Sequence, residues 1–291
     1  MEAHEHAMSR LATPVLLLGG DGMLGRAWSA WLKAHRMEFS APGLDEVDFT
    51  RPGSISSAIG ERWRTIINCA AWTDVDGAEA NAAMAMRLNA EAPGEIAACC
   101  AASGAMLIHY STDYVFDGRS RTPYAIDHPR DPLGVYALSK ARGEEAIETS
   151  GARSLIVRTS WLYAPWGKNF VRTIRGLLLS RPLIRVVNDQ RGRPTSAEHL
   201  VRASARLASL GVTGARHVTD GGECSWFEFA CEIGAQTPGA GRVAPCSTAE
   251  FPRPAPRPAY SVLDLSETER ALGPMPDWRV NLADVLRRIE P

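Results

Sequence analysis

Apolar and polar positions follow two rhythms along the chain. VLLLGG at 15–20 is an unbroken apolar run that stops at glycines, which reads as a strand buried on both faces. MLGRAWSAWLKAH at 23–35 follows with apolar residues three and four apart, the spacing of one helix face. The succession then repeats: strands are expected at 37–40, 65–70, 105–111 and 154–159, and helices at 54–62, 82–102 and 136–149. Strands alternating with helices predict an α/β fold built on a parallel, doubly wound sheet. After Trp161 the rhythm loosens into a helix at 169–180, a strand at 183–187, a helix at 197–209 and Gly- and Pro-rich connections. The expected division is a sheet domain over 12–160 and a smaller lobe over 161–291, some of whose segments return to the first. PRPAPRP at 252–258 reads as a stiff surface loop in preference to a polyproline ligand.

Composition narrows the function classes. The 291 residues are 45% hydrophobic and 22% charged, an ordinary balance for a soluble globular protein. A formal net charge of -1 gives no general electrostatic reason to expect nucleic acid or an anionic membrane as a partner. No apolar run approaches bilayer-crossing length, and MEAHEHAMSR lacks the basic and apolar regions of a secretory signal, so a cytoplasmic location is expected. The six cysteines show no CxxC or zinc-like spacing, and several lie in apolar segments where a reduced thiol simply packs. His4 and His6 read as part of a frayed tail in preference to a metal site.

GGDGMLG sets Gly19, Gly22 and Gly25 three apart between the first strand and the first helix. A dinucleotide pyrophosphate needs close backbone approach and a helix N-terminus whose free N–H groups favour negative charge. Gly19 and Gly22 allow the turn, and Gly25 lets the helix lie close to the sheet. The 12–160 region is therefore expected to be a dinucleotide-binding domain, the alternative being a glycine-rich turn with no ligand. At the end of the second strand, FSAPG offers no carboxylate to hold an adenosine ribose 2′-OH, the usual mark of NAD selectivity. Both NADPH and NADH are expected to be accepted, with NADPH equal or moderately preferred.

YALSK at 136–140 places Tyr136 one helical turn before Lys140. The chain has three lysines, at 33, 140 and 168, and six tyrosines, so chance supplies a Tyr-x-x-x-Lys about 0.06 times per chain. A tyrosine with an ordinary pKa of about 10 needs a nearby cation to exchange protons near neutral pH, and positions i and i+4 share a helix face. Lys140 is the expected cation, and its compact head also suits a nicotinamide ribose. The bland alternative is a helix-start tyrosine beside a solvated lysine. HYSTDYVF at 109–116 counts against it by ending a strand with hydroxyls and a carboxylate at the edge where such sheets bind ligands. His109, Ser111 and Asp113 do not read as a hydrolase set: alternate strand residues stand about 7 Å apart, and no GxSxG elbow is present.

These residues resemble the extended short-chain dehydrogenase/reductases, and within them the dTDP-4-dehydrorhamnose reductase family. The similar blocks run nearly end to end: GGDGMLG, NCAAWTDVDGAE, LNAEAP, HYSTDYVFDG, PLGVYALSKARGE, RTSWLYAPWGKNFV, NDQRGRPTSA and RPAYSVLD. The resemblance implies a Rossmann-type domain with a C-terminal substrate lobe. It also implies a catalytic trio of Thr112, Tyr136 and Lys140. Gly22, Met23 and Leu24 would meet the pyrophosphate, with Asp48, Phe49, Ala70, Ala71 and Trp72 along the adenosine side and Tyr110 also at the cofactor. Thr112, Asp113, Trp161 and Asn169 would face the sugar nucleotide, and Arg193 and Arg257 are candidates for a diphosphate. Trp161 has core packing as its alternative. The chain departs from the family pattern at Trp72 and at Ser40 and Ala41, both of which bear on cofactor choice.

The implied activity is reduction of the C4 ketone of a dTDP-linked 4-dehydro-6-deoxy sugar, foremost dTDP-4-dehydro-L-rhamnose to dTDP-L-rhamnose. The alternatives are another nucleotide-sugar ketoreductase, such as a dihydrostreptose-type branch, and a regulatory subunit resembling the methionine adenosyltransferase beta subunit. The resemblance also raises a Mg-assisted homodimer, for which no ligands are located in this chain.

Overall fold

The computed structural model describes residues 11–289; His4 and His6 lie outside them. Six parallel strands form the central sheet: β1 (Val15–Leu18), β2 (Phe39–Ser40), β3 (Thr65–Asn68), β4 (Met106–Thr112), β5 (Ser154–Thr159) and β6 (Gly214–His217). Their order is β6-β5-β4-β3-β1-β2, and every neighbouring pair is parallel. The order reverses between β1 and β3, and a crevice opens at such a switch point beyond the carboxyl ends of the strands.

β1 has to be apolar throughout because each face meets its own core. Leu17 packs with Trp28, Leu32 and Leu200 on one face, whereas Leu16 and Leu18 pack with Ile55, Ile96 and Ile147 on the other. The first face is covered by α1 (Met23–Ala34). The second carries α2 (Ser54–Ile59) and two longer helices that begin farther along the chain.

The helix expected over 82–102 is not one uniform helix. It starts as α-helix at Ala82–Met86, passes through a π turn at Arg87–Glu91 and resumes as α3 (Ala92–Ser103). Asn89, fully buried in the π turn, exchanges hydrogen bonds with the Trp72 backbone at 2.9 and 3.0 Å and donates to the Ser139 hydroxyl at 3.0 Å. Ser139 lies on α4 (Val135–Thr149), which comes so close that a Cβ on Gly143 would stand 2.1 Å from the Asn89 carbonyl oxygen. The π turn therefore fastens the helix bearing Tyr136 and Lys140 to the loop after β3.

The expected strands at 154–159 and 183–187 and the helix at 197–209 occur with those bounds. The strand expected at 37–40 shortens to Phe39–Ser40, an edge pairing of two residues with β1. The segment Ala197–Ser209, α5, packs beside α1, and β6 extends the sheet, so both belong physically to the sheet layer. The remaining second half has its own core of Tyr163, Phe229, Trp278, Leu282 and neighbours.

Candidate functional site

A cleft of about 890 Å³ lies over the carboxyl ends of β1, β3, β4 and β5. At one end the backbone of Gly19 has φ +75°, and a Cβ there would stand 2.6 Å from the Ala70 amide nitrogen. A Cβ on Gly25 would stand 2.0 Å from the Gly19 carbonyl oxygen. Side chains are excluded at both positions, which keeps α1 against the turn. Gly22 caps α1 with no side-chain hydrogen bond, leaving first-turn N–H groups without that partner at the cleft edge. A side-chain-free cradle at a helix N-terminus fits a dinucleotide pyrophosphate.

Gly22, Met23 and Leu24 line this end, with Asp48, Phe49, Ala70 and Ala71 beside them. The Asp48 carboxylate accepts from the Thr50 amide at 2.8 Å and hydroxyl at 2.6 Å, contacts that lower its pKa. Gly25 lies behind the lining and acts through packing. Trp72 is also outside the lining: its indole donates to the Asp74 carbonyl at 2.7 Å, which turns the ring along the surface of the loop.

The other end of the cleft gathers Tyr110, Thr112, Asp113, Tyr136 and Lys140. Thr112 closes β4, accepts the Tyr114 amide at 3.2 Å and donates to Asp113 Oδ1 at 3.0 Å. Burial raises the Asp113 carboxyl to about 7, against lowering contacts from Ser261 and Thr112. Burial likewise raises the Tyr136 phenol to about 12, opposed by the neighbouring Thr112 hydroxyl and reinforced by the Asp113 charge. The phenol is therefore protonated throughout the neutral range.

Lys140 is 3% exposed, and its ammonium donates to the Tyr110 carbonyl at 2.5 Å with His109 Nε2 at 3.4 Å. Desolvation lowers it to about 8, against a raising contribution from Glu144. Lys140 and Tyr136 line the same cleft, as their spacing predicts. Lys140 shares a helix with Tyr136, but its nitrogen is held on the β4 backbone.

Trp161 follows β5 with φ +48°, unusual for a residue with a bulky side chain. It is not a fully buried core residue: it lines the cleft while its ring lies 3.5 Å from that of Trp226, at 10°. Gly192 closes the packing, since a Cβ there would stand 2.7 Å from the Trp161 ring. Trp161→Ala is expected to raise KM for the substrate that enters this end of the cleft about tenfold, the scale of one aromatic contact, with the Kd of a ligand at the glycine cradle nearly unchanged. Steady-state kinetics beside a titration of that ligand check this, and a fall in both affinities would assign the residue to packing.

Three substrate-side candidates stand outside the lining. Asn169 caps the helix Phe170–Ser180 by accepting the Arg172 amide at 3.2 Å, and its amide donates to the Ala164 carbonyl at 2.9 Å. Arg193 donates to the Gly222 carbonyl at 3.0 Å. Arg257 pairs with Asp76 at 3.0 Å, and Arg253 binds the same carboxylate. The expected stiff loop at 252–258 is thus latched to the helix Val75–Ala80.

The lining residues that were not anticipated include Lys168 and Trp226. The scarcity of lysine that drew attention to Lys140 applied equally to Lys168; Trp226 carried no local signal. Among the described residues, no group of three His, Cys, Asp or Glu side chains is arranged to hold a metal ion, and no helix is long and apolar enough to cross a membrane.

Residues 13–290 match the family described as "RmlD substrate binding domain". The chain is 42% identical over 274 residues, 92% of its own length and 93% of the relative's, to a Streptomyces antibioticus protein named "Probable dTDP-4,6-dihydroxy-2-methyloxan-3-one 4-ketoreductase". It is 39% identical to the dTDP-4-dehydrorhamnose reductase of Streptomyces griseus, covering 92% and 91% of the two chains. Among solved structures, the Bacillus anthracis dTDP-4-dehydrorhamnose reductase in complex with NADP superposes with a TM-score of 0.88 at 34% identity, covering 94% of this chain and 97% of that one. The glycine cradle, the Tyr136 and Lys140 pair and this end-to-end similarity converge: the chain belongs to the dTDP-4-dehydrorhamnose reductase family.

Proposed function

We infer that the protein is an NAD(P)H-dependent reductase of the C4 ketone of a dTDP-linked 4-dehydro-6-deoxy sugar, foremost dTDP-4-dehydro-L-rhamnose. The observation that carries this reading is the tyrosine at the cleft beside Thr112 and one helical turn before Lys140, its phenol kept protonated at neutral pH by burial. When bound, the nicotinamide supplies the hydride. Tyr136 delivers its proton to the oxygen that becomes the C4 hydroxyl, and Thr112, whose hydroxyl donates to Asp113 in the resting site, turns to donate to the phenolate left behind. The balance is one ketone, one reduced cofactor and one proton in, one alcohol and one oxidised cofactor out.

Lys140 binds the cofactor ribose from its seat on β4. Trp161, backed by Trp226, forms an aromatic wall for the sugar nucleotide. The Streptomyces antibioticus relative favours a second reading of the substrate, a different dTDP-linked 4-ketosugar reduced by the same groups. The intact trio speaks against a purely regulatory subunit. Following cofactor oxidation with dTDP-4-dehydro-L-rhamnose and with other dTDP-4-keto-6-deoxy sugars tests the function, and no oxidation with any of them would refute it.

Cofactor choice follows from the second strand's end. Among the described residues no arginine lines the cleft to clamp a 2′-phosphate, and Asp48 is already engaged by Thr50 and Arg51. Glu46 accepts from the Gly43 amide at 3.2 Å. With neither a clamp nor a free acid in evidence, NADPH is expected to bind equally to or up to about tenfold better than NADH. Parallel titrations at one salt concentration check this; an NADH preference of about a hundredfold would mean that an acid such as Asp45 or Glu46 reaches the ribose. The reading places the protein in the cytoplasm. A Mg-assisted homodimer belongs to the same family reading, and sedimentation with and without Mg²⁺ tests it.

A further inference from the structure

Behind Lys140 lies a short chain of buried polar groups that the reduction does not itself use. Asn68 ends β3 and His109 lies opposite it on β4; each is 1% exposed. Asn68 Oδ1 accepts the Ala70 amide at 3.1 Å, and Ala70 is part of the cleft wall. A backbone N–H can only donate, so this contact fixes which end of the Asn68 amide is oxygen. Its NH₂ end therefore faces His109 Nδ1, at 3.2 Å. Nδ1 must then be the acceptor, and burial keeps the imidazole neutral by lowering its pKa. The single ring proton falls on Nε2, which points at Lys140 Nζ from 3.4 Å.

We propose that His109 is a positioning residue that sets the protonation of Lys140: oriented by Asn68, it offers an N–H to the lysine nitrogen and so favours the neutral amine. An amine accepts this N–H on its lone pair while donating to the Tyr110 carbonyl. An ammonium has no lone pair, and two N–H groups would then face each other. Of the other titratable groups facing Lys140, Glu144, one turn along α4, favours the charged form, whereas Cys69, from the loop after β3, is kept a neutral thiol by burial. Glu144 is itself held by Arg158 at 2.7 Å and Arg130 at 2.8 Å. The outcome is a lysine that gains or loses a proton within the working range, in step with the charge brought beside it.

The proposal deepens the catalytic reading given above, and it is testable on the resting protein without substrate. Nitrogen-15 spectra of histidine-labelled protein are expected to show His109 as the neutral Nε2–H tautomer; an Nδ1–H tautomer or an imidazolium would overturn the proposal. Because the chain has three lysines, carbon-13 labelling of lysine gives three resolvable titrations. His109→Leu removes the N–H that faces Lys140, and the Lys140 titration is expected to move up by about one pH unit. An unchanged Lys140 titration in that variant would overturn the proposal. If the variant does not fold, the tautomer of the unaltered protein decides. A protein that shows the Nε2–H tautomer and the shifted titration but oxidises no cofactor would refute the proposed function and leave this inference standing.

Discussion

Tyr136→Phe is expected to lower kcat for ketone reduction by about 10²–10⁴-fold, the range for loss of a positioned general acid, while the cofactor Kd stays near that of the unaltered protein. The ring sits edge-on to Tyr114 at 6.3 Å, a contact that phenylalanine reproduces. Only the hydroxyl is lost, and with it the transferable proton. Burial holds the phenol at about 12, so the unaltered enzyme should keep its donor protonated from acid to mildly alkaline pH. Single-turnover measurements at saturating cofactor separate this chemical defect from binding. Near-normal turnover by the variant would remove Tyr136 from the mechanism.

Lys140→Arg is expected to lower kcat/KM by at least about 10²-fold and to weaken cofactor binding as well. The lysine nitrogen occupies a narrow buried place between the Tyr110 carbonyl and the His109 ring, where a planar guanidinium overfills the space. A second penalty comes from charge. Lysine in this site is lowered to about 8 and can shed its proton, whereas arginine would carry a fixed buried cation. Cofactor titration and steady-state kinetics on the same preparation check both effects, and an active, tight-binding variant would show that only a positive charge is needed at this position.

The sheet was legible because its strands obey a period that burial enforces. β1 is apolar at every position since both faces are covered, and the run VLLL admits no amphipathic helix reading of comparable quality. The glycine turn and Tyr136 with Lys140 were equally legible, because steric exclusion and helical spacing are local properties. What escaped depended on contacts made across the chain. Asn169, Arg193 and Arg257 have suitable chemistry for a sugar nucleotide, yet each is engaged by a helix end, a carbonyl or Asp76. Trp226 lines the cleft stacked on Trp161, which lies far away in the sequence and adopts a left-handed backbone. The π turn at Arg87–Glu91 was hidden for the same reason: its cause is the Asn89 link to Trp72 and Ser139.

The central claim is that this cleft transfers hydride to a sugar C4 while Tyr136 supplies the proton. The most direct measurement uses NADPH deuterated on the transferring face of nicotinamide C4, with dTDP-4-dehydro-L-rhamnose as substrate and NMR of the product. One deuterium is expected on C4 of the reduced sugar for each cofactor oxidised, and none there with unlabelled cofactor in deuterium oxide. Cofactor that stays reduced, or product whose C4 hydrogen comes from solvent, would contradict it.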